Sequence, residues 1–154
     1  SHYDRPEEIA PMKAEEEYKE FVDGNVELLV KRVEQHPDTM FYFFYPPYSM
    51  LWWDNMYRSG EQEQVMYAAG TSAERLLGYE NVRMYYFQND RDIILDLDQY
   101  MDPVHFTAEI NQYMVEQMKE DNYRLTEENY REELDKMRKL AEEIREKEIK
   151  KYFP

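Results

Sequence analysis

Residues 39–45, Thr-Met-Phe-Tyr-Phe-Phe-Tyr, constrain the fold more than any other stretch of this chain. The run is almost wholly apolar and rich in aromatic side chains, which suit a pleated backbone. Pro46-Pro47 then stops it, because proline has no N–H to give to a ladder. No polar residue alternates with the apolar ones. The pattern therefore predicts a strand buried on both faces, as in a parallel sheet with a helix layer on each side. A second run, Asn-Val-Arg-Met-Tyr-Tyr-Phe over 81–87, predicts a second strand.

Between and around these strands the apolar period changes from two to between three and four. Segment 13–36 predicts a helix with Phe21, Val22, Val26, Leu29 and Val33 inward, ended by Pro37-Asp38. Residues 46–55 read as a loop. Segment 61–78 predicts a second helix with Val65, Ala68, Ala69, Leu76 and Leu77 inward and Gly78 as its stop. Thr107 is placed to cap a helix over 108–119, with Ile110, Met114 and Met118 on one face. Thr126 is placed to cap a last helix over about 127–150. There Tyr130, Leu134, Met137, Ala141 and Ile144 make an apolar stripe that is expected to break at Glu148. Residues 1–12 read as a loose lead-in, with Ser1-His2 a possible tag remnant, 13–120 as the α/β body, and 126–150 as a charged helix.

The order α-β-α-β-α-α indicates the α/β class. Two strands make a small sheet for so apolar a first strand. The expectation is part of a doubly wound domain, the C-terminal portion, whose other strands lie upstream or come from a partner.

With 154 residues and 42% hydrophobic content the chain holds enough apolar material for one core. Its net charge of −15 argues against nucleic-acid binding, which needs clustered Lys and Arg, and against docking on anionic lipid. There is no cysteine, which excludes disulfides, thiolate zinc sites and cysteine nucleophiles. No apolar run reaches membrane-spanning length. Asp90, Asp92, Asp96, Asp98 and Asp102 lack the EF-hand spacing and read as turn caps and solvated acids. No metal or cofactor is expected, and His2 and His36 have no partners at ligand spacing.

The chemistry-bearing residues cluster after the strands, where open α/β sheets place their sites. Asp102 stands three residues before His105, in a loop that Pro103 stiffens. Histidine titrates near neutral pH, as a general base for a hydroxyl must. A carboxylate accepting from one ring nitrogen orients the ring and leaves the other nitrogen for the proton. The plainer reading is a loop aspartate beside a surface histidine. In the first loop Tyr45, Pro46, Pro47, Tyr48, Ser49, Trp52 and Trp53 form either a substrate-binding wall or a segment pinned by aromatic packing. Ser49 is a candidate substitute nucleophile, weighed against a simple turn serine.

Asp-Pro-Val-His-Phe-Thr-Ala-Glu-Ile-Asn-Gln-Tyr-Met, 102–114, resembles the last conserved block of the SGNH (GDSL-like) hydrolases, Asp-x-x-His followed by a helix. Thr-Met-Phe-Tyr-Phe-Phe-Tyr-Pro-Pro-Tyr-Ser, 39–49, resembles the preceding strand in the branch that includes lipoteichoic-acid D-alanylation and other cell-envelope acyl-transfer proteins. The resemblance covers roughly 20–120. It implies a flavodoxin-like three-layer α/β/α sandwich, of which this chain holds part. It further implies His105 as general base, Asp102 as its orienting carboxylate, and an acylated carbohydrate or other small ester as substrate in the extracytoplasmic envelope. The family's Gly-Asp-Ser nucleophile block and its oxyanion glycine and asparagine blocks are missing. The chain alone is then expected to be inactive, as the C-terminal half of an esterase or O-acyltransferase that pairs with an N-terminal half or forms a homo-oligomer. A non-catalytic binding or scaffold module using the aromatic loop is the other reading.

Overall fold

Phe41–Tyr45 forms β1 and Val82–Tyr86 forms β2 in a computed structural model that describes residues 3–154; Ser1 and His2, read above as a possible tag remnant, lie outside the described residues. The two strands pair in parallel, with Phe41 opposite Val82 and Tyr45 opposite Tyr86. A two-residue strand, β3 (Arg124–Leu125), pairs antiparallel with β2, so the sheet is mixed, in the order β1-β2-β3. Asp121 and Tyr123, both with φ near 60°, turn the chain into β3. Two residues carry too little period to read as a strand, which is why β3 escaped the pattern.

Among the described residues the α-helices are α1 (Glu15–Gln35), α2 (Met50–Arg58), α3 (Gln62–Leu76), α4 (Arg91–Leu95), α5 (Ala108–Lys119) and α6 (Tyr130–Glu143). The main core joins α1, α2, α3 and α6 to the sheet face formed by Phe41, Phe43, Tyr45, Val82, Met84 and Tyr86. On the other face α5 covers β2: Met114 packs on Tyr85 and Phe87, with Phe106, Met118 and Tyr123 around them.

β1 is not buried on both faces. It is an edge strand, and Tyr42 and Phe44 on its outer face are 59% and 46% exposed. Phe41 N–H bonds the Asn81 carbonyl and Phe87 N–H bonds the Tyr45 carbonyl. The odd-numbered residues therefore face β2, and the backbone groups of Tyr42 and Phe44 face the open edge. Aromatic composition hid a true in–out alternation, because phenylalanine and tyrosine stand on both sides.

The inward stripe of α1 keeps Val22, Val26 and Val33 of the expected set but not Phe21 or Leu29. Tyr18, Val22, Val26, Val30 and Val33 are buried, while Phe21 is 68% exposed and Leu29 is exposed too. The steps of four, four, four and three follow the valines, and tyrosine opens the stripe. Residues 46–55 are not all loop. Helix α2 starts at Met50 with Ser49 at its N-cap and buries Met50, Leu51, Trp53 and Asp54. In α3 the buried set is Gln62, Met66, Ala69, Ala73 and Leu76; Val65, Ala68 and Leu77 are half-buried at its margin.

Thr107 occupies the N-cap of α5, but its hydroxyl accepts no hydrogen bond from the helix and instead donates to the Gln99 side chain, at 3.3 Å. Thr126 caps one turn early: its hydroxyl accepts from Asn129 N–H while the Asn129 side chain accepts from Thr126 N–H, and α6 begins at Tyr130. After α6 a single π-type turn, Ile144–Glu148, adds a residue to the winding. The five-residue step from Ile144 to Ile149 then keeps both fully buried, so the apolar stripe continues past Glu148.

Residues 3–13 are not loose. Arg5 makes a two-pronged ion pair with buried Asp54, at 2.7 and 3.0 Å, and Tyr3 donates to the same carboxylate. Arg58 donates back to the carbonyls of Pro6 and Glu7. Ala10 N–H reaches the Arg58 carbonyl and Lys13 N–H the Gly60 carbonyl. Gly60 has φ +75°, and a Cβ there would lie 2.1 Å from the Pro11 carbonyl oxygen, so glycine is required at this crossing. No helix of the described residues is long and apolar enough to cross a membrane.

Candidate functional site

The loop between β2 and α5 is built by its aspartates. Asp90 caps α4 by accepting from Ile93 N–H, and Asp96 accepts from Asp98 N–H at the 3-10 turn Leu97–Gln99. Asp90 also accepts from the Tyr123 hydroxyl, at 2.6 Å. Residues 100–106 then close on themselves. Tyr100 and Phe106 form an antiparallel bridge, and Met101 N–H donates to the His105 carbonyl. Asp102 and His105 stand at the tip of this closed loop.

One Asp102 oxygen accepts from Val104 N–H at 2.9 Å and from His105 N–H at 2.8 Å. The other lies 2.6 Å from His105 Nδ1. The two backbone donors first, and the ring second, hold the Asp102 carboxyl down at about 2. A carboxylate ionised at every working pH fixes the ring with Nδ1–H toward it. Nε2 has no hydrogen-bond partner among the described residues, and the His105 side chain is 69% exposed.

The strand-end loop holds this tip in place. The Tyr100 hydroxyl donates to the Pro47 carbonyl at 2.6 Å. Ser49 sends both its N–H and its hydroxyl to the Pro103 carbonyl, at 3.1 and 2.8 Å. The Asp102–His105 loop and the Pro46-Pro47 strand end are thus stapled side by side, beyond the carboxyl ends of β1 and β2. Tyr100 is the member of this staple that sequence reasoning missed; an aromatic residue just before Asp-x-x-His was its only signal.

Ser49 is corrected as a substitute nucleophile. It is fully buried and its hydroxyl is committed to Pro103. Ser59 and Ser72 are likewise engaged, with Glu61 and with Tyr45 and the Ala68 carbonyl. The aromatic wall divides as well. Trp53 is buried in the core and touches Trp52 edge-on. Tyr45, Tyr48 and Trp52 line a cavity between α1 and α3 that neither Asp102 nor His105 lines. Pro46 and buried Pro47 shape the strand end, and Pro47 offers its carbonyl to Tyr100. Among the described residues, no group of three His, Asp or Glu side chains stands close enough to hold a metal ion.

No protein-family model, no curated protein and no solved structure matches the chain.

Proposed function

We propose that Asp102 and His105 are the acid–base half of a serine-dependent acyl-transfer site, acting on acyl esters of cell-envelope carbohydrate. The observation that carries this reading is the 2.6 Å contact between the carboxylate and His105 Nδ1, with Nε2 left free toward solvent. In the reaction Nε2 takes the proton of an attacking hydroxyl and later returns it to the leaving alcohol, while Asp102 stabilises the imidazolium formed in between. The parallel β1–β2 pair, with helices packed on both sheet faces, agrees with part of a flavodoxin-like sandwich. Ser49, Ser59 and Ser72 are engaged elsewhere, so by this reading none of the serines among the described residues is the nucleophile, which a further segment supplies together with the oxyanion donors. By this reading the chain alone does not turn over.

A second reading has its own support. Asp102 already closes a turn through two backbone N–H groups, a role that needs no chemistry. The loop would then be the rim of a non-catalytic binding module.

Fluorophosphonate labelling, read by intact mass and peptide mapping, separates the two. The longest product of the reading frame is expected to label at a serine outside this segment, and the 154-residue chain to stay unlabelled. If neither labels, the binding-module reading replaces the catalytic one.

A further inference from the structure

We propose that Ser49 is a positioning residue for His105, acting through the Pro103–Val104 peptide and the Asp102 carboxylate. The His105 and Asp102 side chains are 69% and 43% exposed. A contact so open to water is ordinarily worth under about 1 kcal/mol, too little to hold a ring in one orientation. The order comes from beneath. One peptide unit has both its ends taken: the Pro103 carbonyl accepts from the Ser49 N–H at 3.1 Å and from its hydroxyl at 2.8 Å, and the Val104 N–H donates to Asp102 at 2.9 Å. Ser49 is fully buried. Turning that peptide would take the Val104 N–H from the carboxylate and leave two buried Ser49 donors without an acceptor. Ser49 therefore locks the plane that aims Val104 N–H at Asp102.

A second observation singles out this serine. Ser49 stands at the N-cap of α2, where a serine hydroxyl ordinarily accepts from an N–H of the first helical turn. Its hydroxyl makes no such bond and goes instead to Pro103, 54 residues away in sequence. Only the Ser49 carbonyl, which accepts from the Trp52 and Trp53 N–H groups, serves the helix start. A cap is given up for a grip on the Asp102–His105 loop.

The consequence is a choice of tautomer. A fixed Asp102 keeps the ring proton on Nδ1, 2.6 Å away, and leaves Nε2 as the acceptor. Ser49 never touches the ring, so its effect is carried by one peptide and one carboxylate. The use of that tautomer in proton transfer rests on the acid–base reading of His105; the positioning itself does not.

The test is the ratio of the Nδ1–H to the Nε2–H form of His105, read from ring ¹⁵N shifts of the 154-residue chain with the imidazole neutral. The unaltered chain is expected to hold the Nδ1–H form in excess. Ser49→Ala keeps the backbone donor and loses the hydroxyl, and is expected to lower the ratio about fivefold, the worth of one net hydrogen bond. Tyr100→Phe cuts the neighbouring bond to Pro47 and leaves the Pro103–Val104 peptide alone, so the ratio is expected to stay unchanged. The Ser49 amide of the unaltered chain is expected to exchange slowly with deuterium, a reading that needs no variant. An unchanged ratio in Ser49→Ala, an equal fall in Tyr100→Phe, or a Ser49 amide that exchanges as fast as an open loop would each overturn the proposal. An undiminished fluorophosphonate labelling rate in His105→Ala of the longest product of the reading frame would instead overturn the acid–base reading. The two failures are distinct, because the tautomer ratio would still answer to Ser49.

Discussion

At the residue scale the chain spends its charges on local structure before any chemistry. Asp102 is held by two backbone N–H groups and a ring N–H, and this sets its titration. Its folded pKa, about 2, lies below the unfolded value near 4. A depressed carboxyl adds stability above the unfolded value and loses it as pH falls through the folded one. The loop is accordingly expected to hold its shape down to pH 4 and to open between about 4 and 2. Carboxyl ¹³C shifts check this, and an Asp102 midpoint near 4 would contradict it. Asp54 makes the complementary case. It is buried beneath Arg5, which keeps 23% of its side chain in water. Arg5→Met strands the carboxylate and is expected to cost about 2–3 kcal/mol, below the value for a fully enclosed pair. Urea unfolding measures it, and a loss under 0.5 kcal/mol (roughly the scale of a surface pair) would mean the N-terminal strap is dispensable.

At the element scale the π-type turn after α6 has the clearest consequence. It returns Ile149 to the face that Ile144 occupies, and both are fully buried. Ile149→Ala and Ile144→Ala are each expected to destabilise by about 2–4 kcal/mol. Thermal unfolding of the pair tests this, and a near-neutral Ile149→Ala would put the end of the stripe back at Glu148. These elements also show which parts of the fold were legible beforehand. The parallel pair, four of the helices and the closeness of Asp102 to His105 followed from period, caps and a three-residue spacing. The rest did not, for identifiable reasons. In β1 aromatic residues occupy both faces, so exposure left no trace in hydropathy. In α2 the Pro46-Pro47 signal outweighed a short helical pattern from Met50 onward. The burial of Ser49 depends on a carbonyl 54 residues away in sequence, at Pro103, which no local pattern carries.

At the scale of the whole molecule the sheet has one covered flank and one open one. β3 closes β2, but the outer edge of β1 carries no strand among the described residues. The amides of Tyr42 and Phe44 are therefore expected to exchange with deuterium faster than those of Phe43 and Tyr45, which bond to β2. Equal protection at all four positions would show that another strand covers the edge in solution. The carboxyl end of the same sheet carries the Asp102–His105 loop, stapled to the Pro46-Pro47 strand end. The catalytic account rests on His105 acting through Nε2. The most direct measurement is the rate of fluorophosphonate labelling in the longest product of the reading frame, with and without His105→Ala. A fall of roughly a thousandfold or more, with the fold intact by circular dichroism, is the predicted result. An unchanged rate would contradict it and leave Asp102 and His105 as a surface turn.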